Sequence, residues 1–426
     1  MTAPVFATVT TERSANGHPT YDIDFDLDGD IKIDIPGPFG PVPISERESD
    51  LLDIAIAVHF LERDQRKKAE SNRVRLIDAT LPVRDPAFWA GQADKVASLL
   101  RWMGGIDWRV SFVQSTASVR TAAKTVTDRA RTIVLNSGGM DSTCGLSGLM
   151  SQASSVRLAS FYTLNSNIQK DIASSLGFEK PSQMRAVWRV RNERRGNGAL
   201  SYRSFLFLTF GAIVARSFDA DRLLQFENGV MARAVTPAAS YFTTRHAHPR
   251  THRLFGELVG AIGLNLTIEN PFKDMTKGEE VEVCRQNLSG KADALLKGTD
   301  SCWYFHYVRV PVRFGSGAID KTPRRHCGIC VPCLVRRAAF GDTDYVYDPS
   351  HPPKIANSSG VDPRSFTYNL DAMKRFAEIV LATQDGPTFR RAMSANAIDI
   401  DPETGTWDEL QSLYSRFATE FSKQFP

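Results

Sequence analysis

The feature that most constrains this chain is an apolar run, Thr132-Ile133-Val134-Leu135-Asn136, that breaks into Ser137-Gly138-Gly139-Met140-Asp141-Ser142 and then into a helical stretch. A short buried strand that turns through glycines into a helix commits its surroundings to a sheet covered by helices. Glycine lets the backbone approach a ligand closely, and the N–H groups of a helix start point at an anion. Ser137, Ser142 and Thr143 add hydroxyl donors suited to a pyrophosphate, and Asp141 can hold a magnesium ion or orient the loop. The segment Ser137 to Thr143, with Gly138, Gly139 and Met140 at its centre, is therefore expected to bind phosphate. It is not the Gly-x-x-x-x-Gly-Lys-Ser/Thr loop. A plain glycine turn with a serine cap is the blander alternative, and the position directly after the strand favours phosphate.

From Arg131 onward strand and helix patterns alternate. Strands are predicted over 132–135, 158–163, 186–190, 223–226 and 266–268, with helices over 205–215 and 252–262. Such alternation implies an α/β fold with a parallel, doubly wound sheet. Glu227 and Asn228 follow the fourth strand, on the carboxyl edge where such folds bind ligands. They are candidate substrate-binding residues, with helix capping as the alternative.

The flanks differ in character. Tyr21-Asp22-Ile23-Asp24-Phe25-Asp26 alternates apolar and acidic residues as an exposed strand does, and residues 31–35 repeat the pattern. Ser45 and Glu48 form a capping box ahead of a helix over 46–63, followed by a helix over 90–103 and a strand over 108–114. Residues 1–126 thus read as an N-terminal α+β domain with no catalytic motif, suited to docking a partner. The expected divisions are 1–126, 127–345 and 346–426, the last a helical extension with patterns at 370–383 and 407–421.

Composition excludes several classes. A length of 426 residues exceeds one typical core. A net charge of +4 argues against a protein that coats nucleic acid. The apolar runs at 51–61 and 205–215 fall short of a membrane span, and residues 1–11 lack a secretory signal, so the cytoplasm is expected.

Three of the six cysteines fall in Cys327-Gly328-Ile329-Cys330-Val331-Pro332-Cys333. Two-residue gaps let one loop wrap a tetrahedral zinc, which needs a fourth ligand from elsewhere. Cys302, with 24 residues between it and Cys327, is the best candidate. A [4Fe–4S] cluster could use the same ligands. Cys144 and Cys284 lie in helical patterns and read as core.

Ser137 to Ser142 resembles the signature of the PP-loop ATP pyrophosphatases. The stretch from Cys327 to Phe340, with Arg336, is similar to the end of the 7-cyano-7-deazaguanine synthases within that group. Ser301-Cys302-Trp303 resembles their first zinc ligand, and Pro271 with Thr276-Lys277-Gly278-Glu279 their Pro…Thr-Lys-x-Glu element. Arg203 stands where an arginine begins their central helix. The resemblance covers about 210 residues, Thr132 to Phe340. It implies a Rossmann-like fold of the PP-loop type, ATP, Mg2+ and Zn2+ as cofactors, and Asp141, Lys277 and Arg203 as catalytic residues. It implies an ATP-to-AMP ligase that adenylates a 7-deazapurine carboxylate such as 7-carboxy-7-deazaguanine, which an amine then attacks to give an amide, a nitrile or a protein conjugate.

The chain also departs from that family. Phe161-Tyr162-Thr163 replaces its Asp-Tyr-Gly-Gln, and Thr243-Thr244-Arg245-His246-Ala247-His248-Pro249 stands where Pro-Asp-Cys-Arg is expected. These departures resemble the synthase-like proteins of anti-phage operons, the Qat system among them, which implies a partner protein from the same operon. Arg245 and His248 are candidate substrate contacts rather than metal ligands. Arg189, Arg191, Arg194 and Arg195 could meet RNA, although a solvated loop is the plainer reading. The rival readings are a PP-loop tRNA thiolase with an iron–sulfur cluster and a non-catalytic nucleotide-binding scaffold.

Overall fold

A computed structural model describes residues 5–10, 22–24, 31–34, 40–68, 76–124, 130–161, 166–179, 181–186, 202–233, 245–302, 326–341, 345–350, 368–396, 398, 401, 403 and 405–426. The arginines at 189–195, Tyr162, Thr163, Thr243, Thr244 and Trp303 lie outside the described residues. The fold is α/β with largely parallel sheets. Its residues group into two compact units, one of Met1–Ser137, Met150–Gln225 and Thr244–Asn270, the other of Gly138–Leu149, Phe226–Thr243 and Pro271–Pro426. Neither is a continuous stretch of chain.

The first unit holds the sheets. Across the larger one the order is Thr267–Glu269, Arg222–Leu224, Thr132–Leu135, Val156–Phe161, Ser182–Ala186 and Ile31–Asp34. The first five run parallel, Thr132 pairing with Arg222 on one side and Val156 on the other. Ile31–Asp34 closes the edge antiparallel to Ser182–Ala186. A second sheet of four parallel strands runs Asp22–Asp24, Val5–Thr10, Leu76–Val83 and Asp107–Gln114. The strands at Val5–Thr10 and Leu76–Val83 escape the sequence reading. The second ends in a consecutive buried run rather than a clean alternation.

The helix Glu46–Lys68 begins as its capping box predicts, with Ser45 N 2.7 Å from Glu48 Oε2 and Glu48 N 3.1 Å from Ser45 Oγ. Leu51, Ile54, Val58 and Leu61 on it belong to the same buried cluster as Ile133, Phe205, Leu208 and Ala212. Trp108 Nε1 donates to Tyr202 Oη at 2.9 Å, and the missing side chain of Gly104 makes room for that ring, since a Cβ there would lie 2.3 Å from Tyr202 Cζ. The described residues of 1–126 thus share a buried cluster with the parallel strands. Removing them would strip one side of the core that also buries the parallel sheet.

The same unit contains a buried charge network. Asp50 accepts from Arg84 N at 2.8 Å, Arg84 Nη1 at 2.9 Å, Asp85 N at 3.1 Å and Trp89 Nε1 at 3.0 Å. Asp50→Ala leaves two amides and an indole short of their acceptor, while Arg84 keeps Asp53 at 2.7 Å. It should cost about 3 kcal/mol or more, since each unsatisfied buried donor costs about 1–3 kcal/mol. Urea unfolding checks this, the midpoint falling at unchanged slope.

The second unit is helical among its described residues. Leu334, Phe376, Phe389, Tyr414, Phe417 and Phe421 form its core, drawn from the helices Val331–Phe340, Asn369–Leu381, Gly386–Ala395 and Trp407–Gln424. The third of these was not anticipated, because only Phe389 and Met393 mark its apolar face. Among the described residues no helix is long and apolar enough to cross a membrane.

Candidate functional site

The second unit begins at the glycine pair. Gly138 has a φ of +79°, a conformation costly for a residue with a Cβ, and Gly139 caps the helix Met140–Ser147 in an extended conformation. Ser142 Oγ and Thr143 Oγ1 donate back to the Gly139 carbonyl at 3.0 and 2.9 Å. These hydroxyls, expected to face a pyrophosphate, brace the turn through that carbonyl. Ser137, on the first unit, is exposed, and its carbonyl accepts from Gln169 Nε2 at 3.3 Å.

Asp141 is held on both oxygens. Oδ1 accepts from Asn228 N at 2.9 Å and Asn228 Nδ2 at 3.0 Å, and Oδ2 pairs with Lys277 Nζ. Asn228 is fully buried and also caps the short helix Gly229–Ala232 through Met231 N, while its Nδ2 lies 3.1 Å from Glu227 Oε1. Asn228 thus caps a helix, the plainer of its two expected roles, and also holds Asp141. Lys277 opens the helix Lys277–Leu288, whose next turn brings the fully buried Glu280 to 3.8 Å from Nζ.

Burial opposes both charges of the pair. The Lys277 ammonium and the donors around Asp141 outweigh burial and hold its carboxyl below the usual range. Asp141 and Glu280 in turn outweigh burial at Lys277 and raise its ammonium. Glu280 is the loser: burial first, and then the Asp141 charge, push its carboxyl well above the ordinary value. The result is an ion pair beside a buried acid whose charged form is disfavoured. Sequence reading missed Glu280, although its spacing of three from Lys277 on a capped helix was a usable signal.

The cysteines converge as predicted. The Sγ atoms of Cys302, Cys327, Cys330 and Cys333 all lie within 4.8 Å of one another. A zinc–sulfur bond of about 2.3 Å puts thiolates about 3.8 Å apart in a regular tetrahedron, and Cys327 and Cys333 are 3.7 Å apart. Cys327 N points at Cys302 Sγ at 3.3 Å, and Cys330 N at Cys327 Sγ at 3.4 Å. Gly328, at φ +86°, makes the knuckle, and Cys330 caps the helix that carries Cys333. Among the described residues this is the one group of such side chains converging at metal-ligand spacing, and the acids around Asp141 do not. Cys144 and Cys284 are buried and free, as expected.

A short segment joins the two features. Asp300 N donates to the Gly138 carbonyl at 3.0 Å, and Met140 N lies 3.4 Å from Ser301 Oγ. The adjoining Cys302 is one of the four thiols. A metal fixed there would anchor the strip of backbone that braces the glycine turn.

Arg203, Arg245 and His248 belong to the first unit. Arg203 is exposed at the start of the helix Arg203–Phe218. Arg245 and Arg250 sit over the Trp102 ring, 4.1 and 4.5 Å from its centroid, and His248 meets it edge-on at 4.7 Å. His248 also caps the helix Pro249–Ala261, its Nδ1 accepting from Arg250 N at 3.1 Å. The nearby His252 is buried against Gln225 Oε1 at 3.1 Å. Burial, then the charges of His246 and His248, pull it from 6.5 to about 3. A histidine kept neutral by the fold binds its proton in the unfolded chain first, so stability is lost as pH falls below the unfolded value. The loss should approach about 1.4 kcal/mol per pH unit between roughly 6.5 and 3. Unfolding at pH 6 and pH 5 should approach this slope, and His252→Gln should flatten it.

No protein-family model matches the chain, and no curated protein is significantly similar to it.

Proposed function

We propose that this chain is a zinc-containing ATP pyrophosphatase of the PP-loop type, on a Rossmann-like sheet, that adenylates a carboxylate of the 7-deazapurine class. The observation that carries this reading is the Gly138-Gly139 turn into a helix whose Asp141 holds the buried ammonium of Lys277. A fixed cation beside a helix N-terminus is suited to the charge that develops as diphosphate departs. The close cysteine spacing favours one zinc ion, because a cubane binds each thiolate on a different iron and needs a wider ring.

In the reaction a substrate carboxylate oxygen attacks the α-phosphorus of ATP. The bond to the β-phosphate bridge breaks, diphosphate leaves and an acyl adenylate forms. An amine nitrogen then attacks the acyl carbon, and AMP leaves with the bonding electrons. Lys277 counters charge on the departing diphosphate, and Asp141 holds that lysine in place and charged. Magnesium entering with ATP would supply further neutralisation at the phosphates, while both Asp141 oxygens stay engaged by Asn228 and Lys277. The amine is ammonia or an amino group of a partner protein, the second fitting an anti-phage role.

The test is mass spectrometry of products from ATP, 7-carboxy-7-deazaguanine, ammonia and candidate partner proteins. AMP with an amide, a nitrile or a mass gain on a partner is the expected outcome. Absence of AMP under every combination would overturn the reading.

A further inference from the structure

The last helix, Trp407–Gln424, carries no motif, yet two of its side chains reach the start of the helix that bears Lys277. Glu420 Oε2 accepts from Thr276 Oγ1 at 2.8 Å, and both its carboxylate oxygens lie 3.2 Å from Gly278 N. Thr276 is the N-cap of the Lys277–Leu288 helix, in a capping box with Glu279. One turn back along the last helix, Arg416 donates to Glu279 Oε1 at 2.7 Å and to the Asp274 carbonyl at 2.8 Å. Lys277 stands between the two residues that Glu420 holds. Glycine at 278 permits the approach, since a Cβ there would lie 2.4 Å from Glu420 Oε2.

We propose that Glu420 is a positioning residue for Lys277, setting the first turn of its helix so that the ammonium meets Asp141. Helix caps do this because an unpaired first-turn amide otherwise frays toward water. A half-buried carboxylate at a helix N-terminus also complements the positive end of its dipole. Lys277 has four rotatable bonds and cannot define its own reach; the backbone under it must be fixed. The inference rests on the Asp141–Lys277 pair being the reactive site, and it extends that site into a segment whose sequence shows no chemistry.

The experiment uses the full chain with its zinc content confirmed, as Glu420→Ala, Glu420→Gln and, as a control on the same helix, Lys423→Ala. Two readouts are taken: hydrogen–deuterium exchange of amides 278–281, and steady-state ATP-to-AMP kinetics. Glu420→Ala should exchange roughly tenfold faster at these amides and lose roughly tenfold in kcat with little change in the KM for ATP. Glu420→Gln, which keeps an acceptor oxygen, should recover most of both, and Lys423→Ala should match the unchanged chain. Unaltered exchange in Glu420→Ala would overturn the proposal, as would faster exchange with unaltered kcat. Faster exchange in a chain that makes no AMP before mutation would uphold the cap and overturn the adenylation reading.

Discussion

Asp141→Ala is expected to reduce ATP turnover to below about one per cent of the unchanged chain, the scale seen when a preorganised charge is removed from a phosphate or oxyanion site. The carboxylate accepts from the backbone and side chain of Asn228 and pairs with Lys277. Without it the Lys277 ammonium is left to Glu280, 3.8 Å from Nζ, whose carboxyl no longer feels the Asp141 charge. The ammonium would turn to that carboxylate, away from the position in which Asp141 holds it. Breaking the pair should also cost about 3–5 kcal/mol, so retained zinc must be shown alongside lost activity. Asp141→Asn keeps an oxygen for Asn228 while withdrawing the charge opposite Lys277, so it isolates the ion pair from the bonds to Asn228. AMP production by Asp141→Ala within a few-fold of normal would exclude Asp141 from the reaction.

The second large effect concerns the thiols. One zinc per chain should be held by Cys302, Cys327, Cys330 and Cys333, and Cys327→Ser or Cys330→Ser should release it. Structural zinc contributes on the order of 10 kcal/mol of binding energy, most of which becomes folding energy. Burial pushes the thiols of Cys330 and Cys333 well up. Packing alone therefore does not favour four thiolates, and a dication is what would make them so. The Asp300–Cys302 strip braces the glycine turn, so loss of metal should also depress ATP turnover. Elemental analysis and thermal unfolding with and without a chelator check both parts. Iron in place of zinc, or a melting temperature indifferent to chelation, would remove the assignment.

The sequence by itself determined what depends on near neighbours. The capping box of Ser45 and Glu48, the glycine turn before Met140 and the knuckle Cys327-Gly328-Ile329-Cys330 each close within a few residues, so their chemistry is written in consecutive letters. Strand and helix alternation after Arg131 was legible for the same reason. Only the tertiary structure decided what lies across long separations. Asp141 meets Asn228 from 87 residues away and Lys277 from 136, and Thr276 meets Glu420 from 144. It decided that Ser142 and Thr143 turn inward to the Gly139 carbonyl, that Ile31–Asp34 caps the edge of the larger sheet, and that the helix Glu46–Lys68 shares a core with the parallel strands. The physical reason is that periodicity reports which face of an element is apolar, not which other element buries it. The upward shift of the Glu280 carboxyl likewise follows from the burial and charges around it, which exist only once distant segments have packed.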